Sequence, residues 1–270
     1  MHYLAILATF KNEAMILKEW VEHHKWQGFD HIYLINNNSD DNYKEVLKEF
    51  IKDGYVTLYN LPGKYEQVNN YNIVYQQIKH TVRWLAICDI DEYWFTPIGT
   101  ANEYMKELDK QDIHLLYTRW YAYGSSGYDT QPVSIRESFI KRAEEVGSIK
   151  SIVRTSNANI LNIHQHSLTE NTTVKIDYKD IRLNHYRVMS REYFTKTKLV
   201  RGSPSGYPSL DICDTYRDEE YFRVNDVNDV EDNTLANLVR ANTIPTTTAK
   251  PTHNNSSHLL KQLAQNNRVK

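Results

Sequence analysis

Asp89, Asp91 and Glu92 crowd three carboxylates into four positions of WLAICDIDEYWF, directly after an apolar run from Trp84 to Cys88. Like charges this close repel, so such a cluster persists where the acids are solvated or where a cation holds them together. In an extended segment side chains alternate, which would turn Asp89 and Asp91 to one side and Ile90 into the protein. Two carboxylates facing one way at a strand end make half a site for a hard divalent cation, Mg²⁺ or Mn²⁺, with water and the phosphate oxygens of a substrate completing the shell. The competing reading is an acidic loop that caps a helix expected near Asn102 to Leu108.

The elements that must place this cluster are legible upstream. LAILAT, Leu4 to Thr9, is a continuous apolar run of strand length; after KNE, the residues Ile16, Leu17, Trp20, Val21 and His24 recur on one helical face, and Gly28 supplies a stop. His31 to Ile35 reads as a second strand, and NYKEVLKEFIKDG as a second helix with Val46, Leu47 and Phe50 inward and Gly54 at its end. Tyr55 to Asn60 reads as a third strand, and NNYNIVYQQIKHTV as a third helix that delivers the chain to WLAIC. Strand and helix alternate four strands deep, which predicts an α/β fold: a Rossmann-like, mostly parallel central sheet with helices on both faces. Ligands of such sheets bind outside the carboxyl ends of the strands. KNE, NNNSDD and DIDE each follow a strand directly, so three distant polar turns converge on one crevice. Farther on, Ile113 to Thr130 reads as another strand running into a Gly-Ser-rich loop crowded with aromatics.

With 270 residues, 40% of them hydrophobic and 24% charged, the chain can build a substantial core. A formal net charge of −2 and the lack of a basic block leave no footprint for nucleic acid. No G-x-x-x-x-G-K motif occurs, which argues against an ATP-driven enzyme. MHYLAILATFKNE has neither a basic leading segment nor a small-residue cleavage site, so it reads as a strand rather than a signal peptide. The only cysteines are Cys88 and Cys213, too few for a disulfide framework or a thiolate metal site, and a reducing, cytoplasmic compartment is the expectation. A main domain is expected over residues 1–225 and a polar, basic extension over residues 226–270. After Phe222 there is no aromatic residue and from Asn233 onward no acid, while Arg240, Lys250, Lys261, Arg268 and Lys270 remain, with a short helix expected near Ser257 to Gln265. Such scattered charge reads first as a solvated extension; the competing reading is weak peripheral contact with the inner face of a membrane, at most about 1 kcal/mol per basic residue.

Five blocks in order carry a resemblance: FKNEAMILKEWVEHHKWQGFDHIYLINNNSDD, WLAICDIDEYWF, WYAYGSSG, IKSIV and LNHYRVMSREYFTKTKLVRG. Over residues 1 to about 203 the chain resembles glycosyltransferases of the GT-A type, and in detail family 92 and the related family 2 enzymes. The resemblance implies a nucleotide-sugar donor, usually a UDP-sugar, with Thr9, Asn12, Glu13, Asn36, Asn37 and Ser39 around the nucleoside. Related enzymes often carry Asp at the position of Asn36, whose amide oxygen can accept the same bond from the base without a charge. It also implies a Mn²⁺ or Mg²⁺ ion on Asp89, Asp91 and His185, with Asp89 shared between metal and donor; His164 and His166 are the competing histidines. Arg187, Lys198 and Arg201 would then meet the departing diphosphate.

The implied reaction is displacement at the anomeric carbon by a hydroxyl of a glycan or lipid-linked glycan acceptor, with inversion, and UDP-galactose is the leading donor. An inverting enzyme needs a base on the face opposite the diphosphate. Glu137, and after it Asp129, are the carboxylates proposed for that role, and Trp120, Tyr121 and Tyr123 suit the apolar faces of a sugar. Two other classes stay open at this point: a hydrolase of nucleotide-sugars that uses no acceptor, and a non-catalytic carbohydrate-binding protein on a transferase fold.

Overall fold

β1 (His2–Phe10) is buried without alternation from Leu4 to Phe10, as a strand covered on both faces must be. It pairs in parallel with β2 (His31–Asn36) on one side and β4 (Val82–Ile87) on the other, and β3 (Val56–Asn60) adds in parallel outside β2. The computed structural model describes residues 1–63, 66–201 and 217–243. Between these strands run α1 (Ala14–Trp26), α2 (Tyr43–Lys52) and α3 (Gln67–Ile78). α1 and α2 bury Ile16, Leu17, Trp20, Val21 and Leu47 against Leu4, Ile6 and Ala8. α3 buries Tyr71, Val74, Tyr75 and Ile78 against the alternate residues Ala5, Leu7, Leu85 and Ile87. Helices therefore cover both faces, as the alternation predicts. Gly28, just past α1, has φ +80° and would bring a Cβ to 2.8 Å from that of Asn102, so no other residue fits there.

Past β4 the alternation gives way to a mixed sheet. The chain turns at Asp89–Asp91, forms β5 (Glu92–Phe95) and α4 (Ala101–Asp109), whose start carries a capping box of Thr100 and Glu103, and crosses into β6 (Leu115–Tyr123). The short α5 (Ile135–Ser138) and β7 (Lys141–Arg142) lead to β8 (Ile149–Arg154), which inserts antiparallel between β4 and β6. Small strands β9 (Ala158–Ile160), β10 (Ser167–Leu168) and β11 (Val174–Ile176) precede β12 (Arg182–Tyr186). β12 lies between β5 and β6 and sets His185 opposite Glu92. α6 (Arg191–Tyr193), a π-helical turn Phe194–Lys198 and α7 (Leu199–Arg201) follow as one helical run.

α8 (Glu219–Asn225), β13 (Val230–Glu231) and α9 (Thr234–Thr243) correct the expected extension at its near end. β13 pairs with β7, Leu235 and Val239 enter the main core, and Asp232 binds both Arg142 and Arg182. The i, i+4 spacing of Leu235 and Val239 was the available sign; the absence of aromatics and acids masked it. Lys250, Lys261, Arg268, Lys270 and the helix expected near Ser257 to Gln265 lie outside the described residues, as does Cys213. Among the described residues no helix is long and apolar enough to cross a membrane.

Candidate active site

The acidic segment is a tight turn, not an extended strand end. The Glu92 N–H donates to the Asp89 carbonyl at 3.1 Å. α1 fixes it from below: Trp20 Nε1 donates to the carbonyls of Asp89 (3.1 Å) and Glu92 (2.8 Å). His23 donates from Nε2 to the Trp94 carbonyl at 2.8 Å, and His24 Nε2 accepts from the Trp94 N–H at 3.3 Å while its Nδ1 donates to Trp20. Three helical side chains thereby stand in for a neighbouring strand. Their burial cost is met by a turn whose carboxylates cannot drift.

Two lysines neutralise the three carboxylates, Lys150 shared by Asp89 and Glu92 and Lys198 on Asp91. Glu92 is fully buried and accepts from the Asp89 N–H at 2.9 Å. Lys150, on β8 and also fully buried, places Nζ 2.8 Å from Asp89 and 3.2 Å from Glu92. Burial pushes the Glu92 carboxyl up to about 8, against the pull of Lys150. For Lys150 itself burial works downward, but the charges of Asp89 and Glu92 win and raise its pKa. Burial alone would raise Asp89 too, yet Lys150 holds it below the usual carboxylate range. Asp91 contacts the Lys198 ammonium on one oxygen and His185 Nε2, at 3.5 Å, on the other. Lys198 and His185 overcome the burial that opposes ionisation and hold Asp91 well below that range. Burial lowers Lys198 to about 8 despite Asp91, with Arg217 and Arg201 adding to the effect. The π-helical turn, rare and concentrated at functional sites, is what aims Lys198 inward.

Glu13, at the start of α1, completes the acidic wall: Arg201 lies 2.6 Å from it and the Tyr193 hydroxyl donates to it at 3.2 Å. Burial raises its pKa, Arg201 opposing. These groups surround a cavity of ≈ 240 Å³ that Thr9, Glu13, Gln67, Asp89, Asp91, Trp120, His164, His185, Arg187, Arg201 and Arg217 line. Four residues of that lining carry buried side-chain nitrogens without a protein partner: Nε of Arg187, Arg201 and Arg217, Nη1 of Arg217 and Nε1 of Trp120. Buried donors are nearly always satisfied, so this concentration of orphans calls for an anionic or oxygen-rich ligand.

Of the residues singled out in the sequence, Thr9, Glu13, Asp89, Asp91, His185, Arg187 and Arg201 meet at this one cavity, and Lys198 supports it from behind. Asn12, Asn36, Asn37 and Ser39 do not line it. Asn12 and Ser39 bond across the β1 and β2 ends, Ser39 accepting from the Asn12 N–H at 3.0 Å. The Asn36 amide gives both N–H donors to Tyr43 and Asn60, and its oxygen accepts from the Ser39 N–H. Glu137 and Asp129 are likewise elsewhere: α5 is tied to Glu19 of α1, and Glu137 turns to Arg240 at 3.3 Å, while Asp129 sits in a surface depression with Arg191 and Phe222. Lys150, Gln67 and Arg217 were missed. The alternation of IKSIV did offer one sign, since it puts Lys150 on the same face as the core residue Ile152.

A divalent ion on Asp89, Asp91 and His185 does not fit this arrangement. Asp89 faces Lys150 and Asp91 faces Lys198, so ammonium groups already occupy the positions of charge neutralisation. Among the described residues no group of three or more His, Cys, Asp or Glu side chains is disposed to hold a metal.

Comparison with known proteins places these features in a lineage. A glycosyltransferase family 92 protein of Arabidopsis thaliana is 24% identical over 74% of this chain and 37% of its own length. One of Oryza sativa subsp. japonica is 27% identical over 72% of this chain and 34% of its own. The chain thus spans about a third of the length of these relatives. Among solved structures, S. aureus TarS 1-349 in complex with UDP is 12% identical with a TM-score of 0.39, covering 57% of this chain and 47% of that one. HddC from Yersinia pseudotuberculosis is 12% identical with a TM-score of 0.41, covering 73% and 97%. Likenesses this low say nothing of ligands here. The sequence profile of the family, by contrast, runs from residue 6 to residue 238, through every wall of the cavity. The chain belongs to glycosyltransferase family 92.

Proposed function

We propose that the chain transfers a sugar from a nucleotide-sugar to a hydroxyl of a glycan acceptor. The single observation that carries this reading is the set of orphaned arginine nitrogens, on Arg187, Arg201 and Arg217, around a cavity whose floor is the acidic turn. A diphosphate satisfies those donors bidentately, and as the leaving group it gains negative charge in the transition state, where fixed cations lower the barrier most. Lys198 adds a further positive charge, anchored by Asp91 and the Arg187 carbonyl. The acids then have two tasks: Asp91 and Asp89 hold the lysines in place, and their remaining lone pairs face the sugar. The donor as a UDP-sugar, UDP-galactose first, and inversion of configuration are supported by the family resemblance. Trp120, whose ring packs 4.5 Å from that of His185, offers an apolar face to the sugar.

The test is a screen of UDP-galactose, UDP-glucose, UDP-N-acetylglucosamine, GDP-mannose and ADP-glucose. It is scored by protection against thermal unfolding and by release of nucleoside diphosphate with and without a set of methyl glycosides as acceptors. A donor that both protects and turns over faster with acceptor supports transfer. Turnover indifferent to acceptor would make the chain a hydrolase, and protection without turnover a binding protein.

A further inference from the structure

The cavity is electrostatically divided. The Arg201, Arg217 and Lys198 cations gather around Asp91 and Glu13, and the Arg187 cation acts on His185, the other partner of Asp91. Asp89, by contrast, shares its surroundings with Lys150 and with His164. In a displacement with inversion the attacking hydroxyl lies opposite the leaving diphosphate, so its proton must be taken on the side away from the arginines. Neither Glu137 nor Asp129 reaches the cavity. His164 does, and its ring packs edge-on against Trp120 at 5.4 Å.

The bonding of His164 decides which nitrogen is available. Its Nδ1 lies 2.8 Å from the Ile149 carbonyl, which can only accept, so Nδ1 carries the proton and Nε2 keeps a lone pair. No hydrogen bond to Nε2 occurs among the described residues. The loop that bears it is held at both ends. Asn72 of α3 bonds the Leu161 N–H at 2.8 Å and the Leu161 carbonyl at 2.9 Å. His166 accepts from the Asn162 N–H at 3.1 Å and bonds Ser151 of β8 at 2.8 Å. The two histidines of HQHS thus divide the labour, His166 fixing the loop and His164 facing the cavity. Burial keeps His164 below the ordinary histidine pKa, with the Ile149 carbonyl opposing it, Lys150 lowering it further and Asp89 raising it. The ring is therefore neutral at pH 7 and able to accept a proton.

We propose that His164 is the catalytic base of the transfer, an inference that rests on the transferase reading above. The acceptor oxygen forms its bond to the anomeric carbon as the bond from that carbon to the diphosphate oxygen breaks, its electron pair leaving with the diphosphate. The hydroxyl proton passes to His164 Nε2, and the imidazolium so formed lies near the Asp89 carboxylate.

The test uses the full chain with His164→Asn, because the shorter amide can still donate to the Ile149 carbonyl but cannot accept the proton. With the donor selected by the screen, kcat should fall about 10²- to 10⁴-fold, the usual contribution of a general base. Protection by that donor should match the unsubstituted chain. In His164→Ala, added imidazole should restore part of the lost rate, which a structural role would not allow. A kcat within about threefold of the unsubstituted chain in either folded variant, or loss without imidazole rescue, overturns the assignment. If the unsubstituted chain neither binds nor turns over any donor, the transferase reading falls, and this inference with it.

Discussion

Asp91 illustrates what a single residue owes to partners that are distant in sequence. The acid cluster was legible because three carboxylates in four positions are conspicuous, but the cation that holds Asp91 was not: Asp91 is buried against Lys198, which lies 107 residues along the chain. No local pattern reports such a partner. Removing one member of a buried pair leaves the other uncompensated, so Asp91→Asn should destabilise the fold by about 3 kcal/mol, and Lys198→Met should recover part of that loss in the double variant. Urea unfolding of the cycle should give a coupling above about 1 kcal/mol; coupling near zero would mean that the pair is not formed. The same competition predicts that Lys198→Met binds Mn²⁺ more tightly than the unsubstituted chain in a calorimetric titration. Weaker binding would place Lys198 away from Asp91.

At the scale of elements, the strand and helix alternation of the first half was legible because each helix has one apolar face and β1, β2 and β4 are buried on both sides. What periodicity could not convey is how α1 serves β5 through His23 and His24, polar residues buried within an apolar face. These rings are held neutral: burial drives His24 down to about 3 and His23 well below its usual value, and His31 and His166 fall to about 4. The unfolded chain takes up protons at these sites near pH 6.5 while the folded chain does not, so their contribution is present above about pH 6.5 and lost as pH falls toward 4. Glu92, raised to about 8, and Glu13, also raised by burial, act oppositely across the same range, since their folded carboxyls hold their protons longer, but four histidines outweigh two acids. Stability should therefore drop between pH 7 and pH 5, and His24→Gln should flatten the slope by about 2 kcal/mol over that interval. A pH-independent unfolding midpoint in urea would contradict the buried, neutral histidines.

The molecule as a whole closes on its far end: β13 and α9 return to the sheet that the first residues begin. That closure was not legible from composition, because a helix with three apolar anchors and no aromatic looks like a solvated segment. Truncation after Asn225 removes Leu235, Ala236 and Val239 from the core and strips Arg142 and Arg182 of their shared Asp232. At roughly 1.5–3 kcal/mol for a buried Leu or Val side chain, the loss should exceed about 3 kcal/mol and lower the melting temperature by about 6–12 °C. An unchanged melting temperature would make residues 226–243 the appendage that composition suggested.

The whole arrangement, from the parallel strand ends to the helical run that carries Lys198 and Arg201, exists in this account to hold a diphosphate. Calorimetric titration of the full chain with UDP and with uridine, repeated on Arg187→Met, tests that most directly. The account predicts that UDP binds at least about tenfold more tightly than uridine, a difference of about 1.4 kcal/mol, and that the substitution removes most of that advantage while leaving uridine binding unchanged. Equal affinities for UDP and uridine, or a UDP advantage that survives Arg187→Met undiminished, would contradict it.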